Sequence, residues 1–243
     1  MDHRIALVTG ASRGIGRAIA CQLAADGLLV VINYRSRDDA ADDALRQISA
    51  AGGSAVLKKF DVSIAAQVDA AVKQITSELG TIDALVNNAA VGRDKPLLRV
   101  KPDEWERTLA TNVTGVHHCT QAVVKTWVGK RCGSRIVNVT SVGAERGYRD
   151  STTYCASKAA VIGYTKSLAH ELAPKNVTVN AVSPGFVMTE LTAHMPPELY
   201  IRQTPLGRAG RPEDVANAVS FLVSERAAFI TGEVLRVNGG MYT

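Results

Sequence analysis

The sequence predicts an α/β fold, a doubly wound, seven-stranded parallel sheet with helices on both faces. Three observations carry that expectation. Short runs rich in β-branched residues alternate with helix-length segments along all 243 residues. Several of the short runs are almost wholly apolar, as strands buried on both faces must be. No linker, repeat or low-complexity tract interrupts the alternation, so residues 1–243 are expected to form a single domain.

Element by element, Ile-Ala-Leu-Val-Thr at 5–9 is the first strand, and a glycine-rich turn leads from it into a helix over 16–26. The apolar run beginning at Leu28 makes a second strand over 28–33, and the alanine-rich stretch 38–51 a second helix. Strands follow at 54–60, 82–87, 135–141, 177–183 and 234–238, each a short run dominated by apolar residues. Helical stretches fill the intervals at 64–79, 103–130, 152–173 and 212–223. The segment 190–210 breaks the regularity, with Pro196, Pro197 and Pro205 and no single period. A long irregular insertion in an otherwise compact chain reads as a lid over a binding site. Its place after the sixth strand puts it at the carboxyl edge of the sheet, where such folds bind ligands.

Composition narrows the function. Apolar residues make up 46% and charged residues 21%, an ordinary globular profile. The longest clean apolar run, 28–32, falls far short of the roughly twenty residues that a membrane span needs. Met1-Asp2-His3-Arg4 passes straight into a strand and leaves no room for a signal peptide, so the chain is expected to be soluble and cytoplasmic. Its net charge of +5 suits acidic partners such as phosphorylated cofactors. The basic residues are scattered, with no aromatic-interleaved stripe, which argues against nucleic acid. Cys21, Cys119, Cys132 and Cys155 show neither paired nor metal-ligand spacing and read as reduced packing residues. His117 and His118 are adjacent on a helix and diverge by about 100°, so they do not share a metal, and no metal is expected.

The turn after the first strand reads Thr9-Gly10-Ala11-Ser12-Arg13-Gly14-Ile15-Gly16 and opens a helix. Glycines there remove Cβ atoms where a pyrophosphate must approach the backbone, and the helix N-terminus offers free amides and a positive dipole. Gly10, Ser12, Arg13, Gly14, Ile15 and Gly16 are therefore expected to contact a dinucleotide in a Rossmann-type site. The second strand ends in Asn33 and continues Tyr34-Arg35-Ser36-Arg37, with no acid before Asp38. A carboxylate at that place would favour NAD by accepting the ribose hydroxyls, whereas a guanidinium pairs with a 2′-phosphate. Arg35 and Arg13 are the candidate phosphate partners, with Ser36 as a hydroxyl donor, and the expected cofactor is NADP(H). Ser36 also reads as a helix N-cap with Asp39 three residues on. Asp61, followed by Val62, reads either as an adenine contact or as a helix N-cap.

Tyr154 and Lys158 stand at i and i+4 on one helix face. A tyrosine titrates near 10, and a neighbouring ammonium favours the phenolate. Ser141 ends the fifth strand, where its hydroxyl can bond a substrate carbonyl, and Asn112 can hold a water for proton resupply.

These features in this order resemble the short-chain dehydrogenase/reductase family over essentially the whole chain. The matching residues are Thr9-Gly10…Gly14-Ile15-Gly16, Asn87-Asn88-Ala89, Thr111-Asn112, Ser141, Tyr154…Lys158 and Pro184-Gly185. The resemblance implies that Tyr154 is the general acid in reduction and the base in oxidation. It implies that Lys158 binds the nicotinamide ribose and lowers the tyrosine pKa, that Ser141 orients the carbonyl, and that Asn112 completes a relay. Asn88, Ala89, Pro184, Gly185, Val187 and Thr189 are implied to line the cofactor site, the last two at the carboxamide. Ala90 departs from the family's usual glycine, an extra methyl beside the ribose loop.

Within the family, the tail motifs Pro205-Leu206-Gly207-Arg208, Gly210-Arg211-Pro212-Glu213-Asp214 and Asn238-Gly239-Gly240 resemble the 3-oxoacyl-[acyl-carrier-protein] reductases. That implies an acyl-carrier-protein-bound substrate in fatty-acid or polyketide-type biosynthesis, with Arg131 and Lys175 docking the acidic carrier. It also implies a homotetramer, with the helices 103–130 and 152–173 at one interface and the last strand at another. The segment 145–150 carries Glu145, Arg146, Arg149 and Asp150 and points to a different acyl chain or to solvent. The alternatives are an oxidoreductase of a free sugar, cyclic diol or steroid, and a non-catalytic NADP(H)-binding sensor.

Overall fold

A computed structural model describes residues 4–92, 95–128 and 133–243. Along the chain lie β1 (Ile5–Val8), α1 (Gly14–Ala25), β2 (Leu29–Tyr34), α2 (Asp38–Ala50), β3 (Ser54–Lys59), α3 (Ala65–Glu78) and β4 (Ile82–Asn87). Then come α4 (Pro102–Leu109), α5 (Gly115–Lys125), β5 (Arg135–Val139), α6 (Gly143–Arg146) and α7 (Thr152–Leu172). The remaining elements are β6 (Thr178–Pro184), α8 (Pro197–Ile201), α9 (Pro212–Val223) and β7 (Val234–Val237). The strands form one sheet in the order β3-β2-β1-β4-β5-β6-β7, and every pairing is parallel.

The period of two along each strand divides the core between the two faces of the sheet. On β1, Ala6 and Val8 join Ile19, Leu23 and Val219 in the cluster under α1 and α9. Ile5 and Leu7 join Val72, Val123 and the fully buried Trp127 in the cluster on the other face. Each such aliphatic side chain stabilises the fold by about 1.5–3 kcal/mol relative to exposure. The strand order reverses between β1 and β4, so their carboxyl ends diverge and leave a crevice there. Two helices have well-made starts. Pro102 and Pro212 occupy first-turn positions, and the Glu104 and Asp214 carboxylates accept the N–H groups of Lys101 and Arg211 at 2.9 and 2.8 Å.

Several expectations need correction. The helix expected over 103–130 is not continuous: α4 passes into a π-helical turn, Ala110–Thr114, before α5 begins. There the Gly115 N–H reaches the Ala110 carbonyl, five residues back, so the backbone widens by one residue beside the crevice. The helix ends at Lys125, and Lys130 lies outside the described residues. Ser36 is not an N-cap, because α2 starts at Asp38 with Arg37 at the cap position, and Asp39 is taken by Arg37 through two 3.0 Å hydrogen bonds. Ser141 lies past the end of β5 in the turn that opens α6.

The segment 190–210 contains the short helix α8, whose Tyr200 stacks on Phe186 with ring centroids 4.5 Å apart. That stack belongs to a small apolar cluster with Val142 and Met241, separate from both main cores.

Candidate active site

The phosphate end is built by side chains that tie β1, β2 and β4 together. Thr9 Oγ1 accepts the N–H groups of Asn88 and Ala89 at 2.9 and 3.0 Å. Asn88 Nδ2 donates to the carbonyls of Thr9 and Gly10 at 3.0 and 3.1 Å. From the other side, the buried Asn33 Oδ1 accepts the Gly10 N–H at 3.1 Å, and its Nδ2 donates to the Phe60 carbonyl at 3.0 Å. Gly10 sits at φ +62°, and a Cβ there would lie 2.8 Å from Ala89 Cα. At Gly16 a Cβ would stand 2.3 Å from the Gly10 carbonyl oxygen and 2.5 Å from Asn88 Nδ2. The turn therefore closes only without those side chains, and α1 opens from it with its amides toward the cleft.

Both candidate phosphate partners stand at the rim of this cleft. Arg35 lies 3.6 Å from the Asp61 carboxylate, and Arg13 pairs with Glu190 of the 190–210 segment. Asp61 is not an N-cap, since Ile64 holds that position before α3. Its Oδ1 instead accepts the Ser63 N–H and hydroxyl at 2.9 and 2.7 Å. Partial burial pushes the Asp61 carboxyl up, but the Ser63 hydrogen bonds and the Arg35 guanidinium outweigh it and hold the group below its usual range.

The chemical end hangs on α7. Lys158 is buried, and its Nζ donates to the Val139 carbonyl at 2.8 Å, where β5 ends. The ammonium lies 5.9 Å from the centroid of the Tyr154 ring. Burial pushes Lys158 down to about 8. Ser141 Oγ accepts the Gly143 N–H at 3.1 Å, which fixes one lone pair and leaves the hydroxyl proton to point elsewhere. The fully buried Asn112 has both ends of its side chain engaged. Its Oδ1 accepts the Val91 N–H and its Nδ2 donates to the Val91 carbonyl, both at 2.8 Å, with a further 3.0 Å bond to Ser157 Oγ. Ser157 in turn donates to the Tyr154 carbonyl at 2.7 Å. Asn112 thus locks the loop that follows β4 to the helix that carries Tyr154, and Ala90, in that loop, lines the cleft.

One cleft of about 300 Å³ is lined by Gly10, Ser12, Arg13, Gly14, Ile15, Gly16, Arg35, Ser36, Asp61, Val62, Asn88 and Ala89 on one side. Ser141, Tyr154, Lys158, Pro184, Gly185, Val187 and Thr189 complete it. Asn87 does not face it; its Nδ2 bonds Asn138 and Thr120 inside the core, at 2.9 and 3.1 Å. Lys175 follows the far end of α7, roughly 30 Å along the helix from Tyr154 at 1.5 Å per residue. Arg131, like Cys132, lies outside the described residues.

None of the four charges in segment 145–150 lines the cleft: Glu145 turns inward, whereas Arg146 and Arg149 stay exposed. Glu145 accepts from Ser183 Oγ and from Arg236 Nε, both at 2.8 Å, while Arg146 bonds Gln203 at 3.1 Å. His117 and His118 have rings 6.2 Å apart with separate partners, Tyr164 for the first and the Val62 carbonyl for the second. Burial pushes the Cys119 thiol up to about 12, so it is inert at neutral pH.

Sequence reasoning missed three contributors. Asn33 registered only as the absence of an acid, yet it fastens β2 to the glycine turn. Gly92 lets the Tyr154 ring lie against the backbone, since a Cβ there would come within 2.6 Å of Tyr154 Cδ2. Glu190 lines the cleft from the lid side and pairs with Arg13. None of the three has a local pattern; each acts through a contact distant in the chain.

Comparison with known proteins agrees with this arrangement. The family model described as enoyl-(acyl carrier protein) reductase matches residues 10–242. The chain is 46% identical over 242 residues to the 3-oxoacyl-[acyl-carrier-protein] reductase of Synechocystis sp., covering 99% of this chain and 98% of that protein. It is 44% identical to the 3-oxoacyl-[acyl-carrier-protein] reductase FabG of Vibrio harveyi, covering 100% of this chain and 98% of the relative. Among solved structures, a double mutant of a Serratia marcescens short-chain dehydrogenase/reductase superposes with a TM-score of 0.93 at 35% identity, covering 99% of this chain and 98% of that one.

Proposed function

The chain belongs to the short-chain dehydrogenase/reductase family, and from that premise we propose that it reduces the 3-keto group of an acyl-carrier-protein-bound 3-oxoacyl thioester to the 3-hydroxyacyl product, with NADPH, in fatty-acid synthesis. The observation that carries the reading is the single cleft that holds a phosphate-binding turn at one end and Ser141, Tyr154 and Lys158 at the other. The turn fits the cofactor: its glycines leave the space that Cβ atoms would fill, and Arg13 and Arg35 stand at the rim with no acid at the end of β2.

Bound in this cleft, NADPH supplies the hydride that the carbonyl carbon accepts. Ser141 donates its hydroxyl proton to the substrate oxygen as a hydrogen bond and fixes its direction. Tyr154 transfers its phenolic proton to that oxygen as negative charge develops on it. The Lys158 ammonium, anchored on Val139, stabilises the phenolate left behind. Asn112 keeps Tyr154 and the loop after β4 in register through Ser157 and Val91.

Two predictions arise here. Because burial holds Lys158 at about 8, its ammonium is present below that pH and is lost as pH rises through it. Plotted against pH from 6 to 10, kcat/KM for ketone reduction should be level on the acid side and fall about tenfold per unit well above 8. A profile level to pH 10 would remove the ammonium from the mechanism. Secondly, Arg35→Asp replaces a phosphate partner with a repelling charge. The NADPH-to-NADH ratio of kcat/KM should drop by about 10- to 100-fold, since charge-assisted hydrogen bonds contribute roughly 1.5–3 kcal/mol. An unchanged ratio would reject Arg35 as the selector.

The substrate class is tested by matched carrier thioesters of one chain length, a 3-oxoacyl and a 2-enoyl form, each with NADPH. The reading expects oxidation of NADPH with the 3-oxoacyl form alone. Turnover of the enoyl form alone would favour the reaction named by the matching family model. Activity confined to a free ketone would favour a small-molecule dehydrogenase.

The proposed assembly is a cytoplasmic homotetramer. α7 exposes Ala156, Ala159, Ala160 and Gly163, small residues that let a second helix approach closely. Two copies of α7 packed antiparallel bring Lys175 of one beside the Tyr154 end of the other. Lys175 then serves to dock an acidic carrier at the neighbouring pocket, despite its distance from its own. No described helix is long and apolar enough to cross a membrane.

A further inference from the structure

The two arginines assigned to the 2′-phosphate are engaged differently. Arg35 faces Asp61 at 3.6 Å, between the loops that follow β2 and β3. Arg13 instead reaches across the cleft mouth to Glu190, a partner 177 residues away, with Nη1 at hydrogen-bond distance from Oε2. Both side chains are about half exposed, and both residues line the cleft. The Glu190 backbone is not free to wander. Thr192 Oγ1 donates to the Val187 carbonyl at 2.7 Å and accepts the Thr189 N–H at 3.0 Å, and Val187 bridges to Gly210. A held turn therefore presents a carboxylate to the guanidinium that the cofactor's phosphate needs.

We infer that Glu190 is a specificity-determining residue, a built-in anion that occupies Arg13 until the 2′-phosphate of NADPH displaces it. The Arg13–Glu190 contact uses Nη1, so a phosphate monoester that takes this donor must displace the carboxylate. NADH carries no 2′-phosphate and leaves the Arg13–Glu190 pair intact. Glu190 thus weakens NADPH binding selectively and narrows the preference that Arg13 and Arg35 create.

This inference rests on the assignment of Arg13 to the 2′-phosphate, so the experiment includes both residues. Dissociation constants for NADPH and NADH are measured by nucleotide fluorescence for the wild type, Glu190→Gln, Arg13→Gln and the double variant. An exposed ion pair of this kind is worth up to about a fivefold change in affinity. Glu190→Gln should therefore tighten NADPH about three- to fivefold and shift NADH by less than twofold. In the Arg13→Gln background the same Glu190 change should have no effect, since the partner in competition is gone. No tightening by Glu190→Gln, or equal tightening of both nucleotides, would overturn the inference while leaving Arg13 in place. If Arg13→Gln binds NADPH as tightly as the wild type, the assignment of Arg13 fails first and the inference falls with it.

Discussion

Tyr154→Phe should lower kcat for ketone reduction by about three orders of magnitude, while NADPH binds within a few-fold of the wild type. The substitution removes one oxygen and the proton it carries. General acid catalysis by a positioned side chain is worth roughly 10²–10⁴ in rate, and the phenol is the group the cleft offers the carbonyl oxygen. The ring itself stays, packed where Gly92 leaves room for it and near the Lys158 ammonium at 5.9 Å. The glycine turn lies at the other end of the cleft, so the cost falls on the chemical step. Single-turnover rates with saturating NADPH, read beside a direct binding titration, separate the two. Turnover within tenfold of the wild type would mean that another group donates the proton.

Gly16→Ala should abolish NADPH binding and cost about 2–3 kcal/mol of stability. The added methyl would stand 2.3 Å from the Gly10 carbonyl and 2.5 Å from Asn88 Nδ2. Neither neighbour is the loose end of a flexible chain. Gly10 O is itself bonded by Asn88 at 3.1 Å, and Gly10 N is held by Asn33 at 3.1 Å, so relief requires the tie between β1, β2 and β4 to break. Overpacking of a well-packed region costs about 1–3 kcal/mol, and here a hydrogen bond is lost as well. For a chain of this length the melting temperature should fall by roughly 5–10 °C. Thermal unfolding with and without NADPH checks both parts, because the wild type gains stability from the ligand and the variant should not. A normal melting curve with full stabilisation by NADPH would show that the turn has room the geometry denies.

The fold and the two ends of the cleft were legible in the sequence for physical reasons. Parallel strands buried on both faces must be short apolar runs, so all seven were found, with ends displaced by no more than two residues. The glycine turn was visible because sterics at Gly10 and Gly16 admit no other residue. What escaped depends on contacts far apart in the chain. A π-helical turn has no periodic signature, so the stretch from Pro102 to Lys125 read as one helix. Asn112 stood out as a candidate by its type and place, but its side-chain partners, Val91 and Ser157, did not. Glu145 and Arg146 read as charges at the pocket mouth, yet Glu145 is held by Ser183 and Arg236, and Arg146 by Gln203 at the surface. The apparent cap at Ser36 failed because Arg37 outcompeted it for Asp39 with a bidentate pair.

The central claim is that this cleft passes a hydride from NADPH to the keto carbon of a carrier-bound thioester. Absorbance at 340 nm, followed with NADPH and acetoacetyl-carrier protein and with NADH in parallel, tests it most directly. The account predicts rapid loss of absorbance with NADPH and at least tenfold slower loss with NADH. No loss with either nucleotide, in protein that binds NADPH tightly, would contradict it.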